Sequence, residues 1–109
     1  MNMAATLTQT QPGDWCLEGD LLMHDAPRIM RRAVKIVRRN SALRLDLSGV
    51  MRFDSSIFAL LLSLFREAEQ QKGEFRVLAL PRGFLGCADI HGCRELMLQL
   101  CNANPEMSL

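Results

Sequence analysis

The sequence lacks the features that mark several functional classes. It has no Tyr and one Trp among 109 residues, so binding of single-stranded nucleic acid by aromatic stacking is not favoured. The longest apolar run, residues 57–62, is far shorter than the ~20 residues that span a bilayer. No signal-peptide pattern is visible at the start, and the net charge of +1 predicts no strong overall attraction to nucleic acid or to a membrane. We therefore expect a cytoplasmic protein that binds no nucleic acid and inserts no segment into a membrane.

Catalytic and metal-binding signatures are also missing. The four cysteines form no C-x-x-C pair, and no H-E-x-x-H motif accompanies them, so we expect free thiols and no metal site. The two histidines, His24 and His91, are isolated in the sequence, and the chain has no G-x-S-x-G or phosphate-binding loop. No acid, base and nucleophile come together, so we expect no enzyme and no cofactor.

The pattern of apolar residues predicts an α/β domain. An N-terminal hairpin is expected from residues 5–9 and 15–21 around the Pro12-Gly13 turn. Helical segments follow over residues 28–39, about 56–72 and 83–90, and strands over 43–48 and 74–80. Residues 94–100 are expected to form a last helical turn or a short strand.

These elements predict one domain in the order β-β-α-β-α-β-α. Two parallel crossovers after a hairpin give a mixed sheet of about four to five strands, with helices mainly on one face. We place the domain at residues 5–100, with flexible termini at 1–4 and 102–109.

The helix over residues 28–39 divides into an apolar and a basic side. The basic side carries six cations, and the segment holds no acidic residue. Such a face is more often simply solvated, and the functional alternatives are an acidic partner or lipid head groups.

The stretch from Leu43 to Phe65 is the centre of the sequence. Alternation of leucine with polar residues over 43–48 predicts a buried strand, and Gly49 is expected to end it. Residues 50–53 would then connect the strand to a helix. Asp54-Ser55-Ser56 are residue types that cap helix N-termini, because their side-chain oxygens accept hydrogen bonds from unpaired backbone N–H groups.

The helix that follows has an apolar arc wider than one sheet face needs. Phe58, Ala59 and Leu62 lie at the margins of the stripe that faces the sheet, or outside it. One interpretation is that a neighbouring helix covers them, and the other is that they dock a partner protein or a second copy of this chain. The hydroxyls of Ser55 and Ser56 allow two interpretations as well, since they can cap the helix or accept a regulatory phosphate.

Residues 43–81 resemble the core of a STAS domain, the module named for sulphate transporters and anti-sigma factor antagonists. The resemblance rests on Asp46-Leu47-Ser48 in the strand and Asp54-Ser55-Ser56 at the helix start. Anti-sigma antagonists usually continue with Gly-Leu-Gly, where this chain has Ile57-Phe58-Ala59. That difference, together with the P-x-x-F-x-x-x-A-D-I pattern that begins at Pro81, makes the chain more similar to the MlaB-like branch.

The resemblance implies a regulatory subunit that binds the ATPase of a Mla-type phospholipid ABC transporter and supports its assembly and activity. Such a subunit is cytoplasmic and is held at the inner membrane through its partner. The alternative is an anti-sigma factor antagonist that a serine kinase phosphorylates on Ser56. In either case the expected partner-binding residues surround the helix start: Asp54, Ser55, Ser56, Phe58, Ala59 and Leu62.

Overall fold

Four strands form one mixed sheet in the computed structural model, which describes residues 3–102. The antiparallel hairpin consists of β1 (Thr6–Gln11) and β2 (Asp14–Leu21). Next to β2 lies β3 (Ala42–Phe53), followed by β4 (Glu74–Ala79), and both of these pairings are parallel. The strand order is β1-β2-β3-β4, which confirms the expected α/β class and mixed sheet.

Helices connect the parallel strands and follow the last one. α1 (Ala26–Arg39) and α2 (Ser56–Gln70) are the two crossovers, and α3 (Phe84–Ile90) and α4 (Arg94–Asn102) come after β4. The segment from residue 94 is therefore helix rather than strand. None of the helices formed by residues 3–102 combines the length and the apolar character needed to cross a bilayer.

The apolar side chains of the sheet and the helices meet in one layer. Leu43, Leu45 and Leu47 of β3 are buried, whereas the alternate residues Arg44 and Ser48 are exposed. A polar face on one side and a buried face on the other is what a sheet with helices on one side requires. The prediction that the leucines of residues 43–48 face the core is therefore confirmed, and so is the prediction that the helices lie mainly on one face of the sheet.

The predicted end of β3 at Gly49 is wrong, because the strand continues to Phe53. β3 has one more residue than β2 at each register shift, as in a β-bulge, and the two strands therefore stay paired. After the first shift, Glu18 of β2 lies opposite Gly49 of β3. Val50 is buried and anchors this second half. The pairing with β4 reaches only as far as Asp46. The last part of β3 thus leads past the end of β4 to the connection with α2.

Met3 and Ala4 were expected in a flexible terminus, but they pair with β2. The N–H of Asp20 donates to the carbonyl of Met3 at 2.8 Å, and Ala4 forms a bridge with Asp20. This close approach needs a glycine, because a Cβ on Gly19 would lie 2.6 Å from the carbonyl oxygen of Ala4. Asn102, expected in the flexible tail, is the last residue of α4. Residues 1, 2 and 103–109 lie outside the described part of the chain.

Candidate functional site

Asp54 organises the turn between β3 and α2. Its Oδ1 accepts the backbone N–H of Ser56 at 3.0 Å and the hydroxyl of Ser56 at 2.5 Å. These bonds satisfy an N–H of the first helical turn that has no partner within the helix. Ser55 occupies the N-cap position, but its side chain makes no capping hydrogen bond. The capping role expected for all three residues is therefore confirmed for Asp54, while Ser56 acts as a donor and Ser55 leaves its hydroxyl uncommitted to the cap.

The second oxygen of Asp54 binds a different part of the chain. Oδ2 accepts the backbone N–H of Met23 at 2.7 Å, across 31 positions of sequence. Met23 belongs to the connection from β2 to α1, and the pairing of Leu21 with Phe53 brings the ends of the two strands side by side. One carboxylate thus holds two strand-to-helix connections together. The local sequence pattern held no signal for this contact, since it depends on the parallel pairing of β2 with β3.

The surroundings of Asp54 favour its ionised form. Burial acts to raise the pKa of the carboxyl, but the hydrogen bonds from the hydroxyl and N–H of Ser56 and from the N–H of Met23 lower it by more. The nearby His24 also lowers the pKa of Asp54, so that the net shift is downward. At neutral pH the turn therefore carries a fixed negative charge at the positive end of the α2 dipole, which stabilises the helix start.

The serines do not form a recognisable catalytic set. Within residues 3–102, neither Ser55 nor Ser56 forms a hydrogen bond between its hydroxyl and an imidazole ring. The hydroxyl of Ser56 donates to Asp54 instead. No group of three or more His, Cys, Asp or Glu side chains in the same range is arranged to hold a metal ion. What the turn offers is a rigid, partly exposed helix start with two hydroxyl groups.

Phe58, one of the expected partner-binding residues, is buried. Its side chain is only 7% exposed, because its ring packs edge-on against Phe84 of α3 at a centroid distance of 5.2 Å and lies 6.0 Å from the ring of His91. Of the two interpretations of the wide apolar arc, coverage by a neighbouring helix holds for Phe58. Ala59 is exposed and Leu62 is half-buried, so these two remain available on the surface of α2.

Two exposed apolar side chains that the sequence pattern did not indicate lie in the segments that meet at Asp54. Met23 is 66% exposed and Met51 is 76% exposed, and each lies within a connection or strand end next to Asp54. Ile90, at the end of α3, is 84% exposed and precedes the histidine that lies against Phe58. These residues come from three separate parts of the sequence. The proximity of Met23 to Asp54 follows from the pairing of β2 with β3 and could not be predicted from local periodicity.

Comparison with known proteins identifies the family. The family model described as "Mlab, STAS domain" matches residues 9–99. The chain belongs to this STAS domain family. Members of the family are regulatory modules that bind partner proteins and are generally not enzymes. Among curated proteins, the search found no matching sequence.

Solved structures confirm that the chain has the STAS fold. The cell fate determinant SpoIIAA of Bacillus, in its phosphorylated form, matches with a TM-score of 0.59 and 19% identity, over 83% of this chain and 85% of that chain. The anti-sigma factor antagonist SpoIIAA in its unphosphorylated form matches with a TM-score of 0.63 and 18% identity, over 84% of each chain. At this level of identity the similarity establishes the fold alone.

Proposed function

We propose that this STAS domain is a non-enzymatic, cytoplasmic subunit that docks the ATPase of a Mla-type phospholipid ABC transporter and supports its assembly and activity. The description of the matching family supports this choice of partner. The observation that carries the docking site is the presence of two exposed apolar side chains, Met23 and Met51, in the segments that meet at Asp54, together with the exposed Ala59 near the start of α2.

The proposed contact surface is smaller than the sequence pattern suggested. Asp54, Ser55 and Ser56 present the helix start, and Ala59 and Leu62 extend the surface along α2. Phe58 lies beneath this surface and supports it through its packing on α3. Apolar side chains that become buried on binding, with polar groups at the rim, are the usual composition of a protein-binding site.

A pull-down with the cognate ATPase tests this proposal. Ala59→Glu introduces a charge at the exposed part of the surface and should abolish binding, because the partner would have to bury an unpaired carboxylate. Gln70→Glu adds the same charge at an exposed position at the other end of α2 and should leave binding unchanged. Circular dichroism of both variants separates a loss of binding at residue 59 from unfolding. Equal binding by both variants would refute the docking site.

The second candidate function is that of an anti-sigma factor antagonist controlled by phosphorylation of Ser56. The match to SpoIIAA structures in both phosphorylated and unphosphorylated forms favours considering it. Against it, the Ser56 hydroxyl is held by Asp54, and Ile57, which replaces the glycine of the switching relatives, is fully buried in the core. Incubation with the cognate serine kinase and ATP, followed by mass spectrometry, decides the matter. Phosphate on wild-type protein but not on Ser56→Ala would support the switch, and its absence from Ser56 would exclude it.

A further inference from the structure

The outer side of α1 carries cations that the described part of the protein does not neutralise. Ile29, Ala33 and Val37 face the core, and the cationic side chains project from the opposite side. Three of the six cations have structural contacts. Arg28 pairs with Asp25 at 3.6 Å and also donates to a backbone carbonyl. Arg38 forms an ion pair with a glutamate of α2, and Arg32 lies over the indole ring of the tryptophan on β2, 5.9 Å from its centroid.

The other three cations of α1 are Arg31, Lys35 and Arg39. All three are exposed, and within residues 3–102 they make no ion pair or side-chain hydrogen bond. They follow one another at every fourth position, so they form a row about 12 Å long on one side of the helix. Like charges at this spacing destabilise a helix. No interaction among the described residues therefore explains this row of like charges. Binding of an anion from outside the domain would explain it.

The cationic surface extends beyond α1. Arg66 projects from the exposed side of α2, opposite the buried residues Leu60 and Leu64 of that helix. α1 packs beside α2, so the exposed surface of the helix layer carries cations on two neighbouring helices. Glu69 is the exposed acid of α2, and Glu67 is already engaged with Arg38. Cations spread over two neighbouring helices match an extended anionic plane better than a single acidic peptide does.

We propose that the outer surface of the helix layer, with Arg31, Lys35 and Arg39 at its centre, binds the anionic head groups of a phospholipid membrane. The head groups of a fluid bilayer can move to meet exposed cations, so this binding requires no preformed pocket. Nucleic acid fits less well, because the one tryptophan is half-buried beneath Arg32 and no tyrosine is present to stack on bases. The inference does not depend on the identity of the protein partner.

The row of cations at the centre of the proposed lipid surface lies on a different helix from the side chains of the proposed docking site. The docking site surrounds Asp54 at the edge of the sheet where the parallel strands end, whereas the row of cations lies along the exposed side of α1. Binding of a membrane-associated partner would raise the local concentration of lipid at the basic surface. Weak individual contacts would then suffice to orient the domain.

Co-sedimentation of the whole chain with phospholipid vesicles tests the proposal. Wild-type protein should bind vesicles that contain phosphatidylglycerol and should not bind vesicles of phosphatidylcholine alone. Each cation close to an anionic bilayer strengthens binding about fivefold, so Arg31→Gln with Lys35→Gln and Arg39→Gln should weaken it at least tenfold. The binding should also fall when the ionic strength rises from about 0.05 to about 0.5 M, because salt screens exposed charges.

A matched variant separates this surface from overall charge. Lys72→Asn with Arg82→Gln and Arg94→Gln removes the same net charge from exposed positions outside α1, and asparagine accepts the positive φ of 59° at residue 72. This variant should bind anionic vesicles like wild type. Equal losses in both variants, or no binding of wild-type protein to anionic vesicles at low salt, would overturn the proposal. Binding to polyglutamate or to RNA without binding to vesicles would also overturn it, and would assign the surface to an acidic protein or to nucleic acid. Circular dichroism of each variant confirms that the fold is retained.

Discussion

Replacing Asp54 tests whether its carboxylate holds the two strand-to-helix connections together. Asp54→Ala removes the acceptor for the N–H groups of Ser56 and Met23. Loss of a helix cap costs about 1 kcal/mol, and loss of a hydrogen bond to a charged acceptor costs about 1.5 kcal/mol at the lower end of its range. We use the lower end because the carboxylate is partly exposed and water replaces part of each interaction. The expected loss in the free energy of unfolding is therefore about 2.5 kcal/mol.

Asp54→Asn is the matched control for this prediction. Its single amide oxygen can accept from Ser56 or from Met23, but not from both in the present geometry, so we expect about half the loss of the alanine variant. Urea unfolding followed by far-ultraviolet circular dichroism and by the fluorescence of Trp15 measures both. For a protein of this size, the alanine variant should shift the urea midpoint by about 1–2 M. Unchanged midpoints, or equal losses for both variants, would refute the role assigned to the two oxygens.

The same side chain predicts part of the acid sensitivity of the protein. The folded structure lowers the pKa of Asp54 below its unfolded value. Burial raises this pKa, but the three hydrogen bonds that the carboxylate accepts and the nearby His24 together lower it by more. Its contribution to stability is therefore complete above the unfolded pKa of about 3.9, and it is lost as the pH falls through the folded pKa. Asp54→Asn should show a smaller loss of stability than wild type over this acidic range. An identical pH dependence would contradict the prediction.

Three further predictions follow from burial and backbone geometry. Phe58→Ala should lower the free energy of unfolding by about 3–5 kcal/mol, because it leaves a cavity beneath Phe84; a loss below about 1 kcal/mol would show that the ring is not buried. Gly19→Ala should lower it by about 1–3 kcal/mol, since φ is +92° and a backbone oxygen occupies the space for Cβ, whereas Gly86→Ala in the open part of α3 should be neutral or stabilising in thermal unfolding. Cys101 should alkylate last of the four cysteines in the native protein, because burial raises its pKa to about 11, and peptide mass spectrometry that finds equal labelling would contradict this.

Local periodicity predicted the helices and strands because each of them buries one of its sides in the core. The alternation over 43–48 and the division of residues 28–39 into an apolar and a basic side both report which face lies in the core. The length of β3 was not predictable in this way. Gly49 has the composition of a strand end, yet its lack of a side chain instead makes room for Glu18 on β2, whose Cγ would lie 2.7 Å from a Cβ at residue 49.

The centre of the candidate site was predictable and its borders were not. Asp54 was evident because a capping residue lies next to the helix that it caps, so its partner Ser56 is two positions away. The burial of Phe58 depends on α3, whose Phe84 lies far along the chain. The position of Met23 depends on the pairing of β2 with β3. Contacts between distant segments leave no period in either segment, and the sequence pattern consequently overestimated the apolar surface of α2.

The division of the Asp54 oxygens between two segments has a consequence for local unfolding. Oδ1 serves the start of α2 and Oδ2 serves the connection before α1, 31 residues apart in sequence. Opening of either connection exposes the shared side chain, so the amides of both should exchange with solvent as one cooperative unit. A protein bound at the start of α2 would then slow hydrogen exchange along the connection before α1, beyond the residues that it contacts.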